Sequence, residues 1–125
     1  MSTTELKLIA ETDNFHINNV KLLEYLDQAR HPWYRFCIKL DVEAVVVHIS
    51  ADYKKEVFNQ EHLNIQTTLD RLGNTSFTLK QTILNNQREL IVSAEVVLAT
   101  INRKTRKKTP LPAELRELIH KTETI

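Results

Sequence analysis

The sequence predicts an α+β fold in which one helix packs against one face of an antiparallel β-sheet. Three observations support this prediction. A single amphipathic helical pattern lies near the N-terminus, four segments with strand periodicity follow it, and tight turns join the last three of these segments. Strands joined so tightly are antiparallel neighbours. A lone apolar helix stripe must then be buried against the sheet, which gives a two-layer arrangement.

The long helix is predicted over residues 18–30. Its apolar positions recur at spacings of three and four, the period of an amphipathic helix, and they are Leu22, Leu23, Leu26 and Ala29. Either Asn18 or Asn19 can cap its start, because an asparagine side chain accepts from free backbone N–H groups. Pro32 disfavours helical backbone at His31, so the helix is expected to end there.

Strand periodicity marks five segments: residues 4–10, 42–53, 61–72, 76–84 and 88–102. Four of them alternate apolar and polar residues, which is typical of strands with one buried face. The segment 42–53 is a β-branched run, which predicts a long strand with much of both faces covered. A short helix is expected after Pro112. A sheet wrapped round one helix leaves an edge and an uncovered face, which dimerisation edge to edge would bury.

Turns are predicted at Gly73-Asn74 and Asn85-Asn86, between the last three strands. Gly73 is the only glycine in the chain. Turns that need a positive φ are therefore expected to use asparagine, the next most tolerant residue. The candidates are Asn74, Asn85, Asn86 and Asn102.

The length of 125 residues predicts one domain over residues 1–125. A net charge of +1 produces no global field toward nucleic acid or a membrane surface. Cys37 is the single cysteine, which excludes an internal disulfide and offers no metal-ligand cluster. The sequence has no signal-peptide pattern and no apolar run of membrane-spanning length, so a cytoplasmic location is expected.

The segment HINNVKLLEYLDQAR, residues 16–30, resembles the helix start of the hotdog-fold acyl-CoA thioesterases of the 4-hydroxybenzoyl-CoA thioesterase type. That family carries H-V-N-N-x-x-Y-L-x-Y-x-E-x-A-R. The preceding ETD resembles its D-x-D, and TPLPAELRELI resembles its closing P-x-P-x-x-L segment. The resemblance extends over residues 3–120. It implies a hotdog fold, an antiparallel five-stranded sheet wrapped around one long central helix.

The resemblance also implies an activity and partners. The reaction would be hydrolysis of an acyl thioester to a free carboxylic acid and CoA, with no cofactor and no metal. The substrate would be an acyl-CoA or an acyl-carrier-protein thioester, and no nucleic-acid or membrane partner is expected. The protein would be a homodimer or a dimer of dimers, with its pocket between subunits.

The site implied by the resemblance lies at the start of the central helix. Its catalytic residues would be Asp13, as base or nucleophile, together with His16 and Asn18, which order the loop. The backbone N–H groups that open the helix would hold the oxyanion. The substrate-binding residues would be Asn14, Phe15, Asn19 and Ser76.

The loop before the helix departs from the family pattern. In the family, two residues and then a glycine separate the second acid from the histidine, whereas here only Asn14 and Phe15 separate Asp13 from His16. The related plant acyl-carrier-protein thioesterases carry D-x-N-x-H-V-N-N. Asn14 and His16 match their N-x-H, but Asp13 lies one place closer to the histidine.

Each of these residues also has a purely structural interpretation. Asp13, Asn18 and Asn19 are residue types that commonly cap helices. His16 would then be a partly buried structural histidine, and Ser76 a surface serine that opens a strand. Two alternative functions also stay open. One is an inactive hotdog protein that binds acyl thioesters or a protein partner, and the other is a hotdog dehydratase or hydratase.

Other side chains have weaker functional interpretations. Glu24 resembles the helical acid of another hotdog branch, although its distance from the apolar stripe predicts a solvated residue. Asp27 is expected to pair with Arg30 at i+3. The basic stretch 102–108 predicts a solubilising turn or a contact to CoA phosphates. After the helix come residues expected in the core or as walls of an acyl tunnel, namely Trp33, Tyr34 and Phe36.

Overall fold

A computed structural model describes residues 2–120 and has two layers, one long helix and a five-stranded antiparallel sheet. Along the chain the elements are β1 Thr3–Ile9, α1 Asn19–Lys39, β2 Val42–Tyr53, β3 His62–Leu72, β4 Ser76–Asn85, β5 Leu90–Asn102 and α2 Ala113–Glu117. A 3₁₀ turn, Leu118–His120, follows α2. The predicted α+β class and order of elements are confirmed, and the strand bounds agree to within two residues.

The strand order in the sheet is β1-β3-β4-β5-β2. The two tight turns form the hairpins β3–β4 and β4–β5, as predicted. β2 crosses to the far side and pairs with β5, so β1 and β2 are the two edges of the sheet. α1 packs against β1, β2 and β3. Because α1 comes directly after β1, its N-terminus lies at the end of the sheet where β1 finishes and β3 begins.

The core consists of two apolar clusters, and a layer of buried polar side chains lies between them. Thr67 on β3 and Gln81 on β4 are opposite each other, and Arg30 of α1 lies above them. Gln81 Nε2 donates to Thr67 Oγ1 and to the Leu26 carbonyl, both at 2.9 Å, and Arg30 Nη1 donates to Gln81 Oε1 at 2.9 Å. These bonds satisfy groups whose burial would otherwise be costly.

The helix α1 is longer than predicted, because it continues through Pro32 to Lys39. Proline inside a helix costs about 3 kcal/mol. Trp33 and Cys37, beyond the proline, are fully buried in the second apolar cluster. Burying a large apolar side chain contributes about 1.5–3 kcal/mol, so tertiary packing offsets the local cost. Within residues 2–120, no helix is long and apolar enough to cross a membrane.

The prediction that asparagine supplies the positive φ angles is wrong. Positive φ occurs at Asp41, Gln60, Arg88 and Arg106. The asparagines stabilise the turns through their side chains: Asn85 Oδ1 accepts from the N–H groups of Gln87 and Glu89, and Asn102 Oδ1 accepts from those of Lys104 and Thr105. An acceptor at the start of each turn lets a later residue take the left-handed conformation.

Gly73 is favoured by a close approach and not by its φ. Its N–H donates to the Ser76 carbonyl at 2.7 Å, and a Cβ at position 73 would lie 2.8 Å from Ser76 Oγ. A larger residue would require the Ser76 side chain to rotate away and the Ser76 carbonyl, 3.3 Å from the added Cβ, to shift slightly.

The prediction that β2 is covered on much of both faces is wrong for the single chain. Its first residues, Val42 and Ala44, are buried, but most of the later apolar residues are exposed. Val46 and Ile49 are each 39% exposed, and Val47, at a bulge in the pairing with β5, is 57% exposed. An apolar edge strand of this kind is a pairing surface.

Candidate active site

The loop of residues 10–18 joins β1 to α1 and contains most of the predicted site residues. Both ends of this loop are bonded to the segment 57–61, which precedes β3. Ala10 N–H donates to the Glu61 carbonyl at 2.8 Å, and Ile17 N–H donates to the Val57 carbonyl at 2.7 Å. Ile17 and Val57 are buried in the first apolar cluster. The loop therefore starts and finishes at fixed points beside the helix N-terminus.

Two side chains bond the middle of this loop. The N–H of Glu11 donates to Tyr25 Oη at 3.1 Å, and the N–H of Thr12 donates to Asn59 Oδ1 at 2.9 Å. Asn14 N–H then donates to Thr12 Oγ1 at 3.1 Å, which closes a tight turn around Asp13. The shortened loop thus forms its turn without the glycine of the family pattern.

Asp13 lies at the tip of this turn, and its side chain is exposed. It lines an open cleft of about 650 Å³, called here the Asp13 cleft. The other residues of this cleft are mostly polar, namely Glu11, Thr12, Asn14, Asn18, Val20, Lys21, Glu24, Asn59 and Gln60. Among residues 2–120, no side chain donates a hydrogen bond to the Asp13 carboxylate or forms an ion pair with it. The Asp13 carboxylate is therefore open to a ligand in this cleft.

The helix start at Asn18 supplies both a cap and free donors. Asn18 has extended backbone angles, and its Oδ1 accepts from Lys21 N–H at 2.9 Å, so the capping prediction is confirmed for Asn18. Within residues 2–120, the N–H groups of Asn19 and Val20 have no acceptor. The first turn of α1 carries no acidic residue. This helix terminus can therefore bind a negatively charged oxygen by donating hydrogen bonds from its free N–H groups.

His16 lines a second cleft, on the other side of Asn18. This His16 cleft has a volume of about 370 Å³ and is lined by His16, Ile17, Asn18, Asn19, Leu22, Tyr53, Lys54, Lys55, Glu56 and Val57. The His16 ring is exposed, and its Nδ1 lies 3.3 Å from the Ile17 carbonyl oxygen. The interpretation of His16 as a partly buried residue is wrong. Asp13 and His16, which both belong to this loop, therefore line two neighbouring clefts, and Asn18 lines both of them.

The remaining predicted site residues divide into those near the clefts and one that is distant. Asn14 lines the Asp13 cleft, and Asn19 lines the His16 cleft. Phe15 is 81% exposed and packs edge-on against Phe58, with ring centroids 5.3 Å apart. Ser76 begins β4 at the opposite end of the sheet. Within one chain, Ser76 therefore does not join the other site residues.

Two acidic residues on the helix have the surroundings predicted for them. Glu24 is exposed, lines the Asp13 cleft and lies 3.4 Å from Lys21 Nζ. Asp27 pairs with Arg30 at 3.2 Å, as the i+3 spacing predicted. Arg30 Nε also donates to Tyr34 Oη at 2.8 Å. Burial raises the pKa of Tyr34, which stays a neutral phenol in this network.

Several basic residues are paired with carboxylates on the surface. Arg106 makes two hydrogen bonds to Glu43, at 2.9 and 3.0 Å, and these bonds lower the pKa of Glu43. The hydrogen bond from Lys55 likewise lowers the pKa of Glu89. Lys54, which lines the His16 cleft, forms no ion pair with residues 2–120. It is the cation best placed to meet a negatively charged ligand there.

The sequence did not predict that Tyr25 and Asn59 bond the loop of residues 10–18. Tyr25 coincides with the second tyrosine of the quoted family motif, but that match did not indicate a bond to the loop, and the residue is 7% exposed among apolar core residues. Asn59 belongs to the connection between β2 and β3, distant in sequence from the loop that it bonds. No periodic pattern in the sequence indicates that the loop of residues 10–18 and the β2–β3 connection lie side by side.

Comparison with known proteins assigns this fold and loop to a family. The family model for the thioesterase-like superfamily matches residues 8–119. The chain is also similar to the long-chain acyl-CoA thioesterase FadM of Escherichia coli (strain K12), with 30% identity over 111 residues, 82% of this chain and 83% of that protein. The chain belongs to the thioesterase-like superfamily, as the resemblance predicted.

Solved structures agree on the fold. A 1,4-dihydroxy-2-naphthoyl-CoA thioesterase from Synechocystis superposes with a TM-score of 0.80 and 20% identity, covering 94% of this chain and 96% of that one. A hypothetical protein from Staphylococcus aureus, solved in complex with CoA, has a TM-score of 0.83 and 13% identity, covering 100% and 90%. The predicted hotdog fold, one long central helix with a five-stranded antiparallel sheet, is confirmed.

Proposed function

We propose that this protein hydrolyses an acyl-CoA thioester to a free carboxylic acid and CoA, with Asp13 as the reacting carboxylate. The observation that carries the proposal is the placement of an unpaired carboxylate in a cleft at the start of α1, beside N–H groups that have no acceptor among residues 2–120. Thioester hydrolysis needs both a base or nucleophile and donors for the oxyanion.

Asp13 would act in one of two ways. As a general base, it takes a proton from a water molecule while the water oxygen attacks the carbonyl carbon. As a nucleophile, it attacks the carbonyl carbon itself and forms a mixed anhydride that water then cleaves. On either route the C–S bond breaks and the sulfur leaves as the CoA thiolate, which takes up a proton. Acid and thiol are the products of both routes.

The helix start would stabilise the transition state. Negative charge develops on the carbonyl oxygen during attack, and the N–H groups of Asn19 and Val20 point outward from the positive end of α1. The Asn18 side chain fixes this end by accepting from Lys21 N–H. His16 would order the substrate from the neighbouring cleft, where Asn19 also lies.

The pocket would be completed by a second copy of the chain. The exposed apolar residues of β2 favour pairing of two β2 strands across a two-fold axis. Antiparallel pairing sets the start of one β2 beside the end of the other. The end of the sheet that carries Ser76 of the partner subunit would then approach the His16 cleft. A role for Ser76 in substrate binding is therefore proposed only across the dimer, and the same holds for a dimer of dimers.

The substrate class is proposed from the relatives and from the charges of the site. The E. coli relative is named as a long-chain acyl-CoA thioesterase, and the S. aureus structure contains CoA. Lys54 would face the phosphates of CoA or of an acyl-carrier arm. A cytoplasmic location suits such substrates and agrees with the free Cys37.

The proposal is tested by measuring thiol release from a panel of acyl-CoA esters of different chain lengths. The parent protein, Asp13→Asn and Glu24→Gln are compared, because both acids line the Asp13 cleft. We expect Asp13→Asn to lose about 10²–10⁴-fold in kcat, the usual contribution of a reacting acid or base, and Glu24→Gln to keep its kcat. Loss in Glu24→Gln with retention in Asp13→Asn would reassign the acid.

A second function, binding of acyl thioesters without turnover, is favoured by the separation of Asp13 and His16 into different clefts. The same panel distinguishes it. Calorimetric binding of a non-hydrolysable acyl-CoA by a folded parent protein that releases no thiol from any ester would establish the binding function in place of hydrolysis.

A further inference from the structure

The Asp13 carboxylate has no side-chain donor among residues 2–120, so its position depends on the backbone of its own loop. The two residues directly before it, Glu11 and Thr12, each donate their N–H to a side chain from another element. The acceptors are Tyr25 Oη at 3.1 Å and Asn59 Oδ1 at 2.9 Å. Together they bond the loop to both the helix and the β2–β3 connection.

The two acceptors are held in different ways: Tyr25 is buried, whereas Asn59 is exposed and is placed by its backbone neighbours. The Tyr25 ring is 7% exposed within the first apolar cluster, so its hydroxyl has little freedom to move. Asn59 lies between Phe58, which packs on Phe15, and Gln60, whose N–H donates to the Ala10 carbonyl at 2.7 Å. Two fixed points on different elements restrain the loop in more than one direction.

We propose that Tyr25 and Asn59 are positioning residues that hold Asp13 at the distance and angle needed for attack. This inference rests on the proposed function, since it concerns the same carboxylate. Among residues 2–120, no other side chain bonds the short loop before the turn closed by Asn14 N–H and Thr12 Oγ1. Loss of either acceptor would let the carboxylate drift from the reacting carbon.

Three variants test the proposal, with a fourth as a matched control. Tyr25→Phe keeps the ring and removes only the acceptor, and Asn59→Leu removes the amide at similar size. Asn59→Asp keeps an acceptor oxygen for Thr12 N–H. The control is Thr4→Val, which removes the acceptor of Trp33 Nε1–H, a 3.0 Å bond that also links α1 to β1 but at the far end of the strand.

Two readouts are measured on the full-length protein: amide hydrogen exchange at Glu11 and Thr12, and the separate values of kcat and KM. We expect Tyr25→Phe and Asn59→Leu to speed exchange at their own partner amide by about tenfold or more, because a local opening is no longer opposed. Asn59→Asp should keep the parent protection at Thr12. Thr4→Val should lower the melting temperature and leave exchange at both amides unchanged.

The kinetic result should separate positioning from stability. Misplacement of a reacting group by about 1 Å can cost on the order of 10²-fold in rate. We therefore expect kcat to fall about 10- to 100-fold in Tyr25→Phe and Asn59→Leu, with KM changed less than kcat, while Thr4→Val keeps the parent kcat.

Two results would overturn the inference. One is unchanged exchange at Glu11 and Thr12 in the first two variants, which would show that the side chains do not hold the loop. The other is faster exchange with an unchanged kcat, which would show that the restraint does not serve the reaction. A parent protein without turnover would instead refute the proposed hydrolysis, and the exchange readout would still report on the loop.

Discussion

Asp13 and Glu24 line one cleft but have different electrostatic surroundings. Lys21 Nζ lies 3.4 Å from Glu24 and partly neutralises it, whereas no cation among residues 2–120 pairs with Asp13. A carboxylate held in an ion pair is less available to a bound substrate than an unpaired one. At the scale of single residues, this difference favours Asp13 over Glu24 as the reacting group.

A second residue-scale prediction concerns Cys37. Burial raises the pKa of its thiol from 9.0 to about 11. Because the folded-state pKa is the higher one, the folded protein retains the proton between pH 9 and 11 while the unfolded chain loses it. Stability should be intact below pH 9 and fall by about 2–3 kcal/mol as the pH rises to 11.

The pH prediction is measured by urea denaturation of the parent and of Cys37→Ala across this pH range. The variant will be less stable at neutral pH because it leaves a small cavity. Its slope against pH should nevertheless be shallower than that of the parent. Equal slopes would show that Cys37 does not contribute to alkaline destabilisation.

At the scale of elements, α1 shows how packing overrides a local signal. Pro32 predicted an end near His31, yet the helix runs to Lys39 because Trp33 and Cys37 fill the second apolar cluster. The polar layer around Arg30 lies between the two clusters. The N-terminal half of α1 thus packs in the first apolar cluster and begins at the candidate site, whereas the C-terminal half packs in the second cluster.

Replacing the proline tests this division. Pro32→Ala restores a helical N–H and removes the clash of the ring with the preceding turn, so the protein should gain about 1–3 kcal/mol, less a small entropic loss in the unfolded chain. The free energy of unfolding in urea measures the gain, and kcat should not change. A less stable variant would mean that the half-buried ring itself packs favourably.

At the scale of the whole molecule, the two sheet edges differ. The β1 edge carries Glu5 and Lys7 on its exposed positions, charges that discourage pairing. The β2 edge exposes Val46, Val47 and Ile49. The asymmetry between the edges favours a dimer formed through β2, with each active site close to both chains.

The dimer prediction is tested by sedimentation at micromolar concentration. The parent should sediment as a dimer or a dimer of dimers, and Val47→Glu should shift it to a monomer because a charge would be buried at the strand junction. Ile9→Glu is the matched control, since Ile9 is 45% exposed on the opposite edge, and it should leave assembly intact. A monomeric parent, or an unaffected Val47→Glu, would contradict the arrangement.

The order of elements could be predicted from the sequence because periodicity is a local property. The strands β3 to β5 alternate cleanly, and their inward residues Ile65, Leu79 and Val96 are fully buried. The capping role of Asn18 was also visible. The predicted end of α1 was wrong because the true end depends on contacts with residues distant in sequence. The sequence did not predict the separation of Asp13 from His16 or the hydrogen bonds that Tyr25 and Asn59 accept. These features depend on contacts between segments that are distant in sequence.

The most direct test of the central claim is the rate of thiol release by Asp13→Asn, measured beside the parent on the acyl-CoA ester that the parent cleaves fastest. We predict a folded protein of unchanged melting temperature whose kcat is lower by about 10²–10⁴-fold. An Asp13→Asn protein that releases CoA at the parental rate would contradict the assignment of this carboxylate to the reaction.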